Sequence, residues 1–132
     1  MCTGTLLRPD VMLTAAHCVV TLSGSVITQR LTPAQVTVIA DALSMDGATD
    51  EQRFAVAAIT AHERYPANSN MGDDTSVGRH EEDLCLLRLA RPITTLPVAT
   101  VLPVAMADTA LSAGTRLSVS GYGARRLEAG MP

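Results

Sequence analysis

The chain breaks into short apolar runs separated by turn-forming residues, and its apolar residues scarcely ever recur at helical spacing. Residues 3–7 form one run, closed by the turn-prone cluster Arg8-Pro9-Asp10. Val11–Thr14 is a second run, and Ser23-Gly24-Ser25 marks a loop. Pro33 opens a predicted strand that continues through the β-branched alternation Gln35-Val36-Thr37-Val38-Ile39. Residues 41–51 are polar, acidic and turn-rich around Asp46-Gly47, and residues 52–62 predict another strand with Phe54, Val56 and Ile59 as its large apolar members. A long loop spans 65–82, with Pro66, Asn68, Asn70, Gly72 and Gly78. Residues 84–89 are apolar almost without interruption, which suits a strand buried on both faces. Pro92, Pro97 and Pro103 punctuate a crossover without regular structure, and residues 117–122 alternate as a last strand. Only Ala15-Ala16-His17-Cys18 invites a helical turn. Many short strands between frequent turns predict an all-β barrel or sandwich.

Composition narrows the class. A length of 132 residues is one domain's worth by itself, since domains commonly run roughly 100–200 residues. An apolar fraction of 47% and a charged fraction of 17% exclude a disordered chain. No apolar run approaches the ~18 residues of a membrane span. Aromatic residues make up 2% and tryptophan is absent, so the expected core is aliphatic and Ala-rich. The net charge is −3 and all ten cations are Arg, which argues against a nucleic-acid partner. Met1-Cys2 opens without a charged segment before an apolar stretch. Either the protein is cytosolic or its beginning lies upstream. The three cysteines, Cys2, Cys18 and Cys85, permit one disulfide and one free thiol, and no C-x-x-C points to a zinc ribbon or a thioredoxin-like site.

Three segments carry the chemistry: Cys2-Thr3-Gly4-Thr5-Leu6-Leu7, Leu13-Thr14-Ala15-Ala16-His17-Cys18, and Asp83-Leu84-Cys85-Leu86-Leu87-Arg88-Leu89. In order and pattern they resemble the first half of a trypsin-like serine peptidase, with its C-x-G-[ST]-L strand, its [ST]-A-A-H-C turn and its D-[IL]-x-L strand. Ala61-His62-Glu63-Arg64-Tyr65 is similar to the family's H-P-x-Y segment, and residues 97–103 to its linker. Ala113-Gly114-Thr115 with Ser120-Gly121-Tyr122-Gly123 resembles the strand that opens the second barrel.

The resemblance implies a Greek-key β-barrel over residues 1–112, lacking its start, and the truncated opening of a second barrel over 113–132. It implies that His17 is the general base and Asp83 the acid that orients it, as in the Ser-His-Asp template. Asp83 would then accept hydrogen bonds from the backbone N–H groups of Ala16 and His17. Their separation of 66 positions is long for a compact member, with the surplus expected in residues 66–82. The resemblance also pairs Cys2 with Cys18 in a disulfide, which implies an oxidising, extracellular or periplasmic compartment. The expected partner of the complete parent is a polypeptide substrate or a protein inhibitor, with no nucleic acid and no membrane.

The family's G-D-S-G-G nucleophile motif does not occur in these 132 residues, and Ser112, Ser118 and Ser120 lack its context. The chain by itself is therefore expected to be inactive. The alternative is a non-catalytic serine-peptidase homologue that acts as a binding or regulatory module. Cys85, inside an apolar strand, reads as a small buried hydrophobe, and His62 and His80 as solvated loop residues. His80-Glu81-Glu82-Asp83 is unsuited to one metal ion, because adjacent residues on an extended chain face opposite ways. No cofactor is expected, although Asp41 and Glu51 bracket the loop where some trypsins hold calcium. The strand at 117–122, without barrel partners, predicts an aggregation-prone edge.

Overall fold

A computed structural model describes residues 1–23, 26–65 and 82–121. Among these residues the strands are β1 (Thr5–Arg8), β2 (Val11–Thr14), β3 (Val20–Ser23), β4 (Val26–Arg30), β5 (Thr37–Ile39), β6 (Arg53–Ala61) and β7 (Cys85–Leu89). One short helix, α1, spans Val104–Ala110. Five strands form a curled antiparallel sheet in the order β1-β2-β7-β6-β5, and β3 and β4 form a separate hairpin. The molecule is all-β, as the spacing of its apolar runs predicts.

Both sheets close on one core. Val19 and Val20 enter it from the hairpin side; Leu6, Val38, Phe54, Val56, Cys85, Leu87 and Leu89 enter from the five-stranded sheet. Tyr65 and Ile93 are the largest fully buried side chains, each 1% exposed. Among the described residues the core is not Ala-rich, because Ala16 and Ala40 are the buried alanines in it. Branched aliphatics fill it, and Phe54 and Tyr65 supply the bulk that alanine lacks. Chain return along β1 ties the barrel wall together: Ile93 N–H donates to the Pro9 carbonyl at 2.7 Å, and Ala99 N–H to the Leu6 carbonyl at 2.7 Å.

Three local expectations are corrected. Pro33 opens a 3₁₀ turn, Pro33–Gln35, and strand β5 starts only at Thr37. Here the fixed proline φ suits a helix start, and Thr32 N–H donates to Gln35 Oε1 at 2.9 Å as a cap. Strand β7 is buried on one face only: Cys85, Leu87 and Leu89 point inward, while Leu86 is 41% exposed. Residues 117–121 join no ladder and Val119 is 98% exposed, because a strand exists only where a neighbour receives its hydrogen bonds. The helix α1 had no sequence signal; it is a two-turn element with Val104 91% exposed. Tyr122, part of the expected last strand, lies outside the described residues, as do residues 66–81 of the expected loop at 65–82.

Candidate active site

The register of the central sheet brings His17 and Asp83 together. Strand β2 ends at Thr14, which lies opposite Cys85, the first residue of β7. The chain leaving β2 turns through the 3₁₀ segment Ala16–Cys18, and the chain entering β7 passes Asp83 two residues before the first pair. Antiparallel pairing therefore places both residues at the same end of the sheet, although 66 positions separate them. Asp83 Oδ2 lies 2.6 Å from His17 Nδ1, and Asp83 Oδ1 accepts the His17 backbone N–H at 2.8 Å. The two carboxylate oxygens thus hold the ring and its own main chain at once. Ala16 is fully buried under this turn.

Electrostatics follow from that geometry. Burial alone would raise the Asp83 pKa, but the hydrogen bonds from the His17 side chain and backbone, the His17 charge and the Ala16 amide together hold it below the usual carboxylate value. A carboxyl held down in this way stabilises the fold fully above the ordinary carboxylate range near ~3.9, and that contribution is lost as pH falls through the folded-state value. Urea titrations from about pH 6 to about pH 2 are expected to show Asp83→Asn losing less stability on acidification than the parent chain. Equal losses in the two proteins would remove Asp83 as a contributor.

The disulfide Cys2–Cys18 fastens the turn from the other side, with its Cα atoms 6.1 Å apart. Gly4 packs closely on this path: a Cβ there would lie 3.1 Å from the Leu13 carbonyl oxygen and 2.5 Å from Met12 Sδ. Thr14 Oγ1 donates to the Thr3 carbonyl at 2.9 Å, a second link between the first residues and β2. Cys2, His17 and Cys18 cluster closely enough to resemble a metal-ligand set. The two sulfurs are bonded to each other, which removes both thiolates from any coordination. Cys85 is free and buried; burial, and to a smaller extent the Asp83 charge, push its thiol pKa up against a hydrogen bond from the Thr60 backbone. A neutral, enclosed thiol has no nucleophilic character.

Other sequence candidates fall elsewhere. His62 is not a solvated loop residue: its ring is 33% exposed, its Nδ1 lies 3.7 Å from Glu82 Oε2, and that same nitrogen accepts the Arg64 N–H at 3.3 Å. Glu82 and Asp83 turn to different partners, with Arg64 Nη2 at 2.5 Å from Glu82 Oε1. His80 and Glu81 lie outside the described residues. Ser112 bonds with Thr115 at 3.2 Å, and Ser118 and Ser120 are exposed on the same C-terminal stretch. Asp41 and Glu51 line one surface depression, but Arg91 lines it too. Arg91 Nη2 donates to the carbonyls of Glu51 at 2.5 Å and Arg53 at 3.2 Å, with its guanidinium 3.9 Å above the Phe54 ring. One backbone carbonyl of this loop, that of Glu51, is thus already engaged by a fixed positive charge.

The sequence missed two features beside the His17–Asp83 pair. Glu82 has a backbone φ of 62°, a left-handed conformation that costs a non-glycine residue on the order of 1–3 kcal/mol. No glycine or asparagine at 82 announces it. Tyr65 is buried against this turn; burial, and then the Asp83 charge, raise its pKa.

An all-β barrel wall that ends in a carboxylate-held histidine is the arrangement of a serine-hydrolase half-site. The family model described as Trypsin matches residues 1–131. The chain belongs to the trypsin family, whose members are by family serine hydrolases with a trypsin-like peptidase fold. Comparison with curated proteins finds no significant match. A disulfide and this family are compatible with an extracellular protein.

Proposed function

We propose that this chain supplies the base and orienting acid of a trypsin-like serine endopeptidase. The observation that carries the reading is the double grip of Asp83 on His17, at 2.6 Å to Nδ1 and 2.8 Å from the backbone N–H. A carboxylate accepting from Nδ1–H selects the tautomer with the basic lone pair on Nε2. It also stabilises the imidazolium that forms once that nitrogen takes a proton. In the complete parent, His17 takes the proton of a serine hydroxyl as the serine oxygen bonds to the scissile carbonyl carbon. It then returns that proton to the departing amine, and water completes hydrolysis of the acyl-enzyme. Residues 113–132 open the second barrel of that parent, which covers the exposed Leu117 and Val119. The parent acts on polypeptides in an oxidising, extracellular or periplasmic compartment, where Cys2–Cys18 persists.

The 132 residues alone contain no G-D-S-G-G. They are expected neither to hydrolyse peptides nor to be labelled by a fluorophosphonate probe. Labelling of Ser112, Ser118 or Ser120 would overturn the assignment of the nucleophile to another segment. If the coding frame continues into a G-D-S-G-G segment, the complete product is expected to hydrolyse peptide bonds and to take the probe on that serine. A continuing frame without it favours the non-catalytic homologue.

Arg91, not calcium, closes the loop between Asp41 and Glu51 in this reading. Millimolar calcium is expected to leave the melting temperature unchanged, whereas Arg91→Ala costs about 1 kcal/mol through two lost hydrogen bonds and a cation–π contact. Calcium-dependent stabilisation of the parent chain would reverse the assignment.

A further inference from the structure

We propose that Glu82, gripped by Arg64, is a positioning residue whose left-handed backbone turn aims the Asp83 carboxylate at His17. The inference deepens the reading of Asp83 as the orienting acid and rests on it. Glu82 adopts φ 62°, a region that glutamate avoids and that persists only where the surroundings impose it. The turn directly precedes Asp83, so its backbone angles set the direction in which the next side chain leaves.

Three contacts among the described residues hold the turn. Arg64 Nη2 holds Glu82 Oε1 at 2.5 Å. Leu84 N–H donates to the Glu82 carbonyl at 2.7 Å, closing the chain tightly around Asp83. His62 N–H donates to the Leu84 carbonyl at 2.8 Å, which fastens the turn to the end of β6. The His62 ring acts on Arg64 more than on Glu82. Its Nδ1 accepts the Arg64 N–H at 3.3 Å, and a nitrogen used as an acceptor cannot also donate to a carboxylate 3.7 Å away. His62 therefore sets the main chain from which Arg64 reaches Glu82. The Arg64 side chain is 65% exposed, so its ion pair contributes little to global stability and acts on the local turn.

The test uses the 132-residue chain and three variants: Glu82→Ala, Glu82→Asn and Arg64→Ala. Two readouts report on the pair itself. One is the far-downfield proton resonance of His17 Nδ1–H; the other is the Asp83 carboxyl titration followed by carbon NMR. Ala and Asn remove the same charge, but asparagine enters the left-handed region readily and alanine does not. Glu82→Ala is expected to lose the downfield resonance and to shift the Asp83 titration upward, while Glu82→Asn keeps both near the parent values. Arg64→Ala is expected to lose the resonance with little change in melting temperature.

Charge removal alone predicts the opposite sign at position 82. A lost negative neighbour would lower the Asp83 titration, and Ala and Asn would behave alike. That pattern, or a resonance that survives in Glu82→Ala, overturns the proposal. If Glu82→Ala fails to fold, the Asn and Arg64 variants decide the question: Asn must keep the resonance and Arg64→Ala must lose it. Because no readout involves turnover, failure here is distinct from failure of the peptidase reading, which the probe and hydrolysis experiments decide.

Discussion

Asp83→Asn is expected to lower kcat about 10⁴-fold in a complete product that joins this chain to a nucleophilic serine, the size of loss this family shows when the triad acid becomes an amide. The geometry gives the reason. The carboxylate accepts twice from His17, once from the backbone N–H at 2.8 Å and once at Nδ1 at 2.6 Å. An asparagine can keep its carbonyl oxygen on the backbone N–H and so preserve the fold of the turn. Its amide nitrogen then faces Nδ1 and donates to it. The imidazole must answer with Nδ1 as acceptor, which moves its proton to Nε2 and removes the base. KM is expected to change far less than kcat, because the lost interaction forms no part of the substrate site. A fall in kcat of under tenfold would remove Asp83 from the mechanism.

Removing the Cys2–Cys18 disulfide has the second large expected effect, this time on stability. The bridge joins residues 16 positions apart, and closing a loop of this length contributes about 3 kcal/mol through the unfolded chain. Small domains commonly hold only about 5–15 kcal/mol in total, so the loss is a large share. The native state suffers as well. Cys18 ends the 3₁₀ turn that carries His17, and Cys2 lies two residues before the close-packed Gly4. The double variant Cys2→Ser, Cys18→Ser should therefore unfold at markedly lower urea concentration, with an increased amplitude of motion at His17. A change below about 1 kcal/mol in that titration would contradict the entropic estimate and leave the bridge a minor constraint. Cys85→Ala serves as the control for thiol chemistry, because Cys85 pairs with no other cysteine.

Much of this was legible in the chain, and the failures share a cause. The period-two runs became strands because alternation at that period puts one face on a core; β6 spans Arg53–Ala61 within the expected 52–62. The 3₁₀ turn at Ala16–Cys18 matches the small residues there. Strand β7 misled because a continuous apolar run does not say how many faces are covered. Leu84 and Leu86, 50% and 41% exposed, keep their apolar character on the outer face. Pro33 misled because proline suits the start of either a strand or a helical turn, and Gln35 tips the balance by capping Thr32. His62, Arg64 and Glu82 could not be assembled from sequence, since their ion pair depends on where β6 ends relative to β7. Arg91 likewise reaches Glu51 across 40 positions, a distance that no local pattern encodes.

By itself, the sequence determined the all-β class from its short alternating runs and the family from three short motifs, and the resemblance to that family then named His17 and Asp83 as the pair. Only the tertiary structure decided that Thr14 lies opposite Cys85, and with it that His17 meets Asp83. It also decided that Glu82 takes a left-handed turn and that a guanidinium occupies the acidic loop. The physical reason is one of range. Spacing along the chain specifies which face a side chain takes within its own strand. Antiparallel register, which closes 66 positions of chain to 2.6 Å, is set by core packing across strands that the local pattern does not contain.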